Sequence, residues 1–97
     1  MTLKELQKEI LENKKRQGFN TTDMNEEFCH LNAEVGEAYD AWFRDLETFP
    51  EELADVAIFL LGIAEINGID LQTEIEKKVE INKNRKCEVN KLGHHVH

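Results

Sequence analysis

Apolar residues return every three or four positions through four successive stretches of this chain, the spacing of helices that each bury one face. The first stretch runs from about Leu3 to Arg16, with Leu3, Leu6 and Ile10 on one face. A Thr2–Glu5 capping-box pattern precedes it and Gly18 stops it. Residues 19–22 lead to a second helix behind an Asp23 cap, with Glu26 three residues on. It carries Phe28, Leu31, Val35, Ala38 and Trp42 at helical spacing to about Phe43. Pro50 stands in the first turn of a third helix, where its missing N–H costs nothing, and Asn67-Gly68 ends it. On that helix Leu53, Val56, Ala57, Leu60, Leu61 and Ala64 form one face. Ile58, Phe59, Ile63 and Ile66 cover most of the rest, so it is expected to be central or at a subunit interface. The fourth helix starts behind Asp70 and runs to about Lys86 with Leu71, Ile75 and Val79 inward.

Short connections among the last three helices predict antiparallel neighbours, hence an all-α four-helix bundle. One domain over residues 1–87 accounts for the patterning, and residues 88–97, with His94, His95 and His97, read as a flexible tail. A 97-residue chain leaves much apolar surface uncovered, so dimerisation is expected to complete or extend the bundle.

The formal net charge of −8 argues against nucleic acid or an anionic membrane as principal partner, because both attract basic surfaces. The longest apolar run, Val56 to Ala64, is too short to span a bilayer. Cys29 and Cys87 are isolated thiols, and the opening residues Met1-Thr2-Leu3-Lys4-Glu5 resemble no signal peptide, so a cytoplasmic location is expected.

Charge changes the picture most at two places. Glu34 and Glu37, then Glu52 and Asp55, are each spaced i to i+3 inside apolar helical patterns, one turn apart on one face. Solvated helix acids are the plain reading of one such pair. Two pairs beside apolar neighbours carry a cost in repulsion and desolvation that a divalent cation offsets. With Leu31 at the centre of the second helix's stripe, Glu34 falls at its edge and Glu37 further out. Oxygen ligands alone favour Mg²⁺ over zinc. On the fourth helix Lys78, Asn82 and Arg85 follow the apolar edge of Ile75 and Val79. They form either a solvated basic face or a stripe that contacts phosphate.

The ordered set of these residues resembles the MazG-type all-α nucleoside triphosphate pyrophosphohydrolases. It comprises Leu31 before Glu34, Gly36-Glu37-Ala38, Ala41-Trp42, Glu52-Leu53-Ala54-Asp55-Val56, Gly68-Ile69-Asp70-Leu71, and then Lys78, Asn82 and Arg85. The similarity extends from about Leu3 to Lys86. It implies hydrolysis of the α–β phosphoanhydride of a (d)NTP to monophosphate and pyrophosphate, as in nucleotide-pool house-cleaning. It further implies dependence on Mg²⁺, with Mn²⁺ as a substitute, and a homodimer or tetramer. Glu34, Glu37, Glu52 and Asp55 are then the metal ligands and catalytic acids, with one Glu acting instead as general base. Lys78, Asn82 and Arg85 contact substrate, and Gln7, Asn13 and Lys14 match polar positions that help enclose it in relatives. Asn32-Ala33 before Glu34 departs from the acid or branched residue common there.

Three other readings compete. Phosphoribosyl-ATP pyrophosphohydrolases share the scaffold and paired acids, but their acid-rich first motif and the Tyr-His after the second are missing; Val56-Ala57-Ile58-Phe59 stands there. Glu27-Phe28-Cys29-His30 supplies one ExxH, whereas a carboxylate-bridged di-iron bundle needs two. A non-catalytic helical interaction module would use its acids only for solubility.

Overall fold

The computed structural model describes the backbone of residues 1–92, with side chains through Arg85. It is a four-helix all-α bundle of α1 (Leu3–Arg16), α2 (Met24–Phe43), α3 (Phe49–Ile66) and α4 (Leu71–Leu92). The starts follow the side-chain chemistry. Thr2 and Glu5 form a reciprocal capping box, at 3.1 Å to the Glu5 N–H and 3.0 Å from the Thr2 N–H. Asp23 accepts from the Asn25 and Glu26 N–H groups. Thr48 contributes no side-chain cap to α3, which relies on its early proline.

Three helix ends share one solution. The Phe19, Leu46 and Ile69 N–H groups reach back to the carbonyls of Lys14, Ala41 and Ala64 at 2.8–2.9 Å. Each does so across a left-handed residue: Gly18, Asp45 and Gly68. Asp45 is the non-glycine among them and tolerates this region better than most residues. α4 runs six residues past the expected end near Lys86, since no glycine or proline follows Gly68 until Gly93. Of the expected tail, residues 93–97, including all three of its histidines, lie outside the described residues.

α3 is the central element, packing along α2 most extensively and along α1 on its other side. Leu61, Gly62, Ile63 and Ala64 are consecutive and all buried, so this one turn is enclosed all round, whereas Leu53, Ile58 and Leu60 on the same helix are exposed. Gly62 faces α1, where an added Cβ would lie 3.4 Å from Ile10 Cγ2, in van der Waals contact. α4 leans on α1 rather than lying antiparallel against α3, and Ile75 and Val79 are consequently exposed rather than inward.

The seam of α2 also differs from expectation. Glu27, Leu31, Glu34, Ala38 and Ala41 face the bundle, while Phe28, Val35 and Trp42 point outward, Trp42 being 60% exposed. Two apolar faces exist on this helix. α3 packs on the one whose small residues, Ala38 and Ala41, permit close contact.

Candidate metal centre

Glu34 from α2 lies in the packed seam, Glu37 one turn along toward solvent, and Glu52 faces them from the first turn of α3. One carboxylate oxygen from each of these three lies within 4.8 Å of the other two. Asp55 is one turn further along α3, outside this set of three, yet its charge bears on both Glu34 and Glu52.

The second oxygens show the site's unusual electrostatics. Glu34 Oε2 and Glu52 Oε2 are sealed from solvent and accept no hydrogen bond. Buried carboxylate oxygens without donors are costly and rare in folded proteins. Desolvation therefore raises the Glu34 pKa above the usual carboxylate value, reinforced by the close approach of Glu37 and the charges of Glu37, Asp55 and Glu52. Glu52 is raised likewise, by desolvation first and then by Glu37, Asp55 and Glu51. No Lys or Arg pairs with these acids among the described residues. An all-oxygen, anionic, under-donated cluster of this kind fits a hard divalent cation.

This arrangement has a pH signature. Between the ordinary carboxylate value of 4.5 and their raised values, Glu34 and Glu52 bind more protons folded than unfolded. The metal-free protein is therefore expected to lose stability as pH rises above about 4.5 through those raised values. Thermal melts across that range check it, and the slope should flatten in saturating Mg²⁺ and in Glu34→Gln.

One turn from the cluster along both helices, past His30 on α2 and Phe59 on α3, opens a cavity of about 410 Å³. The His30 and Phe59 rings stack at 5.5 Å between centroids. Lys14, Phe19, Asn20 and Glu27 complete its wall. Lys14 is 9% exposed, ion-paired with Glu27 and 5.1 Å from the Phe59 centroid. Glu27 is 1% exposed; its other oxygen accepts from Asn20 Nδ2 at 3.0 Å. Burial alone would raise the Glu27 pKa, but the Lys14 and Asn20 hydrogen bonds and the Lys14 charge outweigh it and hold the carboxylate ionised.

Glu27, expected only as the acid of an ExxH pair, is instead a buried, ion-paired seam residue beside the site. Its signal was the heptad spacing Glu27, Leu31, Glu34, Ala38, Ala41, visible once Glu34 is taken as a seam position. With Glu27 committed to Lys14 and Asn20, and His30 exposed against Phe59, the ExxH pair does not join the carboxylate cluster. Gln7 also differs from expectation: it is wholly buried and bonded within the fold. Asn13 is exposed on α1. Lys78 and Asn82 are exposed on α4 and Arg85 is half-buried. Among the described residues none of the three pairs with the acids of its own chain, whereas Lys77 and Lys83 make local surface pairs with Glu74 and Glu80.

The fold and the glutamate cluster are consistent with the MazG-like all-α superfamily and with a metal-dependent hydrolase. Among individual proteins, a dATP/dGTP diphosphohydrolase of Salmonella phage PMBT28 is 36% identical over 74 residues, covering 76% of this chain and 24% of that protein. The chain thus spans about a quarter of the length of the curated relative it matches. No family model and no solved structure matches the chain. No helix among the described residues is long and apolar enough to cross a membrane.

Proposed function

We propose that the chain is a Mg²⁺-dependent nucleoside triphosphate pyrophosphohydrolase. In this reaction water attacks phosphorus, the bond from phosphorus to the α–β bridging oxygen breaks, and monophosphate and pyrophosphate leave. The observation that carries the reading is the pair of sealed, donor-less oxygens on Glu34 and Glu52 beside Glu37. Those three residues with Asp55 hold the cation, with Mn²⁺ as a substitute, which offsets phosphate charge when bound. The carboxylates themselves orient the attacking water, and one of them takes its proton. The nucleoside portion lies in the adjoining cavity against Phe59 and His30, with Lys14 in its wall. The phage relative's name, a diphosphohydrolase of dATP and dGTP, supports purine deoxynucleotides as first substrates to test and a role in the nucleotide pool.

The chain acts as a homodimer or tetramer in this reading. Its buried apolar core among the described residues is small: Ala38, Ala41, Leu61, Ile63 and Ala64. An apolar groove walled by Val35, Tyr39, Trp42, Phe49 and Leu53 remains open. A second copy covers it, and α4 brings Lys78, Asn82 and Arg85 to substrate phosphates in the assembled protein. Trp42→Glu is expected to shift the protein toward monomer by at least about tenfold in dissociation constant, measured by sedimentation equilibrium.

The decisive assay incubates the protein and Mg²⁺ with a panel of natural and modified triphosphates, including phosphoribosyl-ATP, and identifies products. Monophosphate with pyrophosphate supports the reading. Orthophosphate release places cleavage at the terminal phosphate and sinks it, and turnover of phosphoribosyl-ATP alone transfers the chain to histidine synthesis.

A further inference from the structure

We infer that Gln7 is the positioning residue that fixes the direction in which α4 leaves the bundle and, through α4, where Lys78, Asn82 and Arg85 meet phosphate. The second half of this inference rests on the reaction proposed above.

Gln7 lies in the second turn of α1 with no exposed surface. Its Nε2 donates to Glu65 Oε1 at 3.1 Å and to the Ile69 carbonyl at 2.8 Å. Its Oε1 accepts from the Leu71 N–H at 3.0 Å. One amide therefore uses both donors and its acceptor to join the end of α3, the turn after it and the first residue of α4. The Leu71 N–H is one of the four donors that every helix start leaves without an intrahelical partner. Here a side chain 64 positions earlier satisfies it, and Asp70 supplies the local cap by accepting from the Thr73 N–H at 3.3 Å.

Among the described residues, α4 beyond its start is lightly held as far as Arg85. Its main contact is with α1, and Ile75, Val79 and Ile81 are each close to half exposed. Length converts this into leverage: at 1.5 Å per residue, Arg85 lies roughly 21 Å beyond Leu71, so a tilt of about 10° at the start displaces it by roughly 4 Å. Catalytic and binding groups lose much of their effect at misplacements near 1 Å. Lys78, Asn82 and Arg85 share the i, i+4, i+7 path that continues from Leu71 and Ile75, so they swing together. An apolar residue at position 7 would fill the space but strand Leu71 N–H, the Ile69 carbonyl and Glu65.

The test replaces Gln7 by Leu, and by Glu as a second variant that keeps the shape and an acceptor while removing both donors. Circular dichroism is expected to retain the helices. Amide exchange over residues 71–76 should quicken at least about tenfold while α2 and α3 keep their protection. The KM for triphosphate should rise at least about tenfold, with Mg²⁺ affinity in the absence of nucleotide within about twofold of the original. The discriminating readout is a mutant cycle. In a background lacking all three stripe side chains (Lys78→Ala, Asn82→Ala and Arg85→Ala), Gln7→Leu should add less than about twofold to KM, because the changes act through one stripe, whereas a general loss of integrity would multiply the effects. Unchanged exchange at the start of α4, multiplying effects on KM, or loss of all helical signal in both variants would each overturn the proposal. A wild-type protein that releases no pyrophosphate from any triphosphate sinks the reaction and the substrate half of the inference together, while the exchange measurement still decides whether Gln7 holds α4.

Discussion

Glu34→Gln is expected to abolish pyrophosphate release and Mg²⁺-dependent stabilisation while making the metal-free protein more stable. The two effects have opposite signs because one property causes both. Glu34 buries an oxygen with no donor and stands among Glu37, Glu52 and Asp55, so the neutral amide relieves repulsion and supplies two N–H donors to its neighbours. The same amide removes a charged oxygen ligand. Loss of an outer-shell partner of a metal ligand usually costs 10–100-fold, so loss of a direct ligand should exceed about a hundredfold. At Mg²⁺ near 100 times its dissociation constant the original protein gains about 2.7 kcal/mol, and the variant should gain almost none. Calorimetric melts with and without Mg²⁺, beside the product assay, read both effects. A metal-free melting temperature that falls, or activity that persists, would contradict the assignment.

The second large effect belongs to Lys14. Replacing it by Met leaves the Glu27 carboxylate nearly solvent-free with only Asn20 to bond. Removing one member of a buried ion pair typically costs about 3–5 kcal/mol, a large share of the roughly 5–15 kcal/mol that holds a domain together. For a domain of this size that corresponds to a fall of roughly 12 °C or more in Tm. Lys14→Met combined with Glu27→Leu should restore most of the loss, because a well-packed apolar pair avoids desolvating two charges. That double variant also separates two roles of Lys14. If the ammonium reaches substrate from the cavity wall, the refolded variant has a raised KM; if it serves only Glu27, KM is unchanged.

Both predictions concern polar groups in seams, and seams were the part of this protein that its sequence described least well. The helices themselves were legible because their signals are local: a capping box at Thr2 and Glu5, an Asp23 cap, proline in the first turn of α3, and glycines at positions 18 and 68 that take up left-handed backbone. The two acid pairs were legible for the same reason, since i to i+3 spacing on a helix fixes their relative placement. The convergence of Glu34, Glu37 and Glu52 followed once α2 and α3 became neighbours. The outward placement of Val35 and Trp42 did not follow, because α2 carries apolar residues on two faces and periodicity does not choose between them. Gln7 and Glu27 were passed over as core residues because their partners, Ile69, Leu71 and Lys14, are 62, 64 and 13 positions away.

Legible along the chain alone are the all-α class, the helix starts, the net charge of −8 and the two carboxylate pairs whose chemistry suggests a divalent cation. Those features depend on backbone propensity, capping and composition, which act over a few residues. Helix packing set the rest: which face of α2 is buried, that α4 leans on α1 with Gln7 bonded to its start, and that one oxygen each of Glu34 and Glu52 is sealed without a donor. Burial and hydrogen bonding between residues distant along the chain exist only after the helices have packed. Those contacts bring acids from two helices into one cluster.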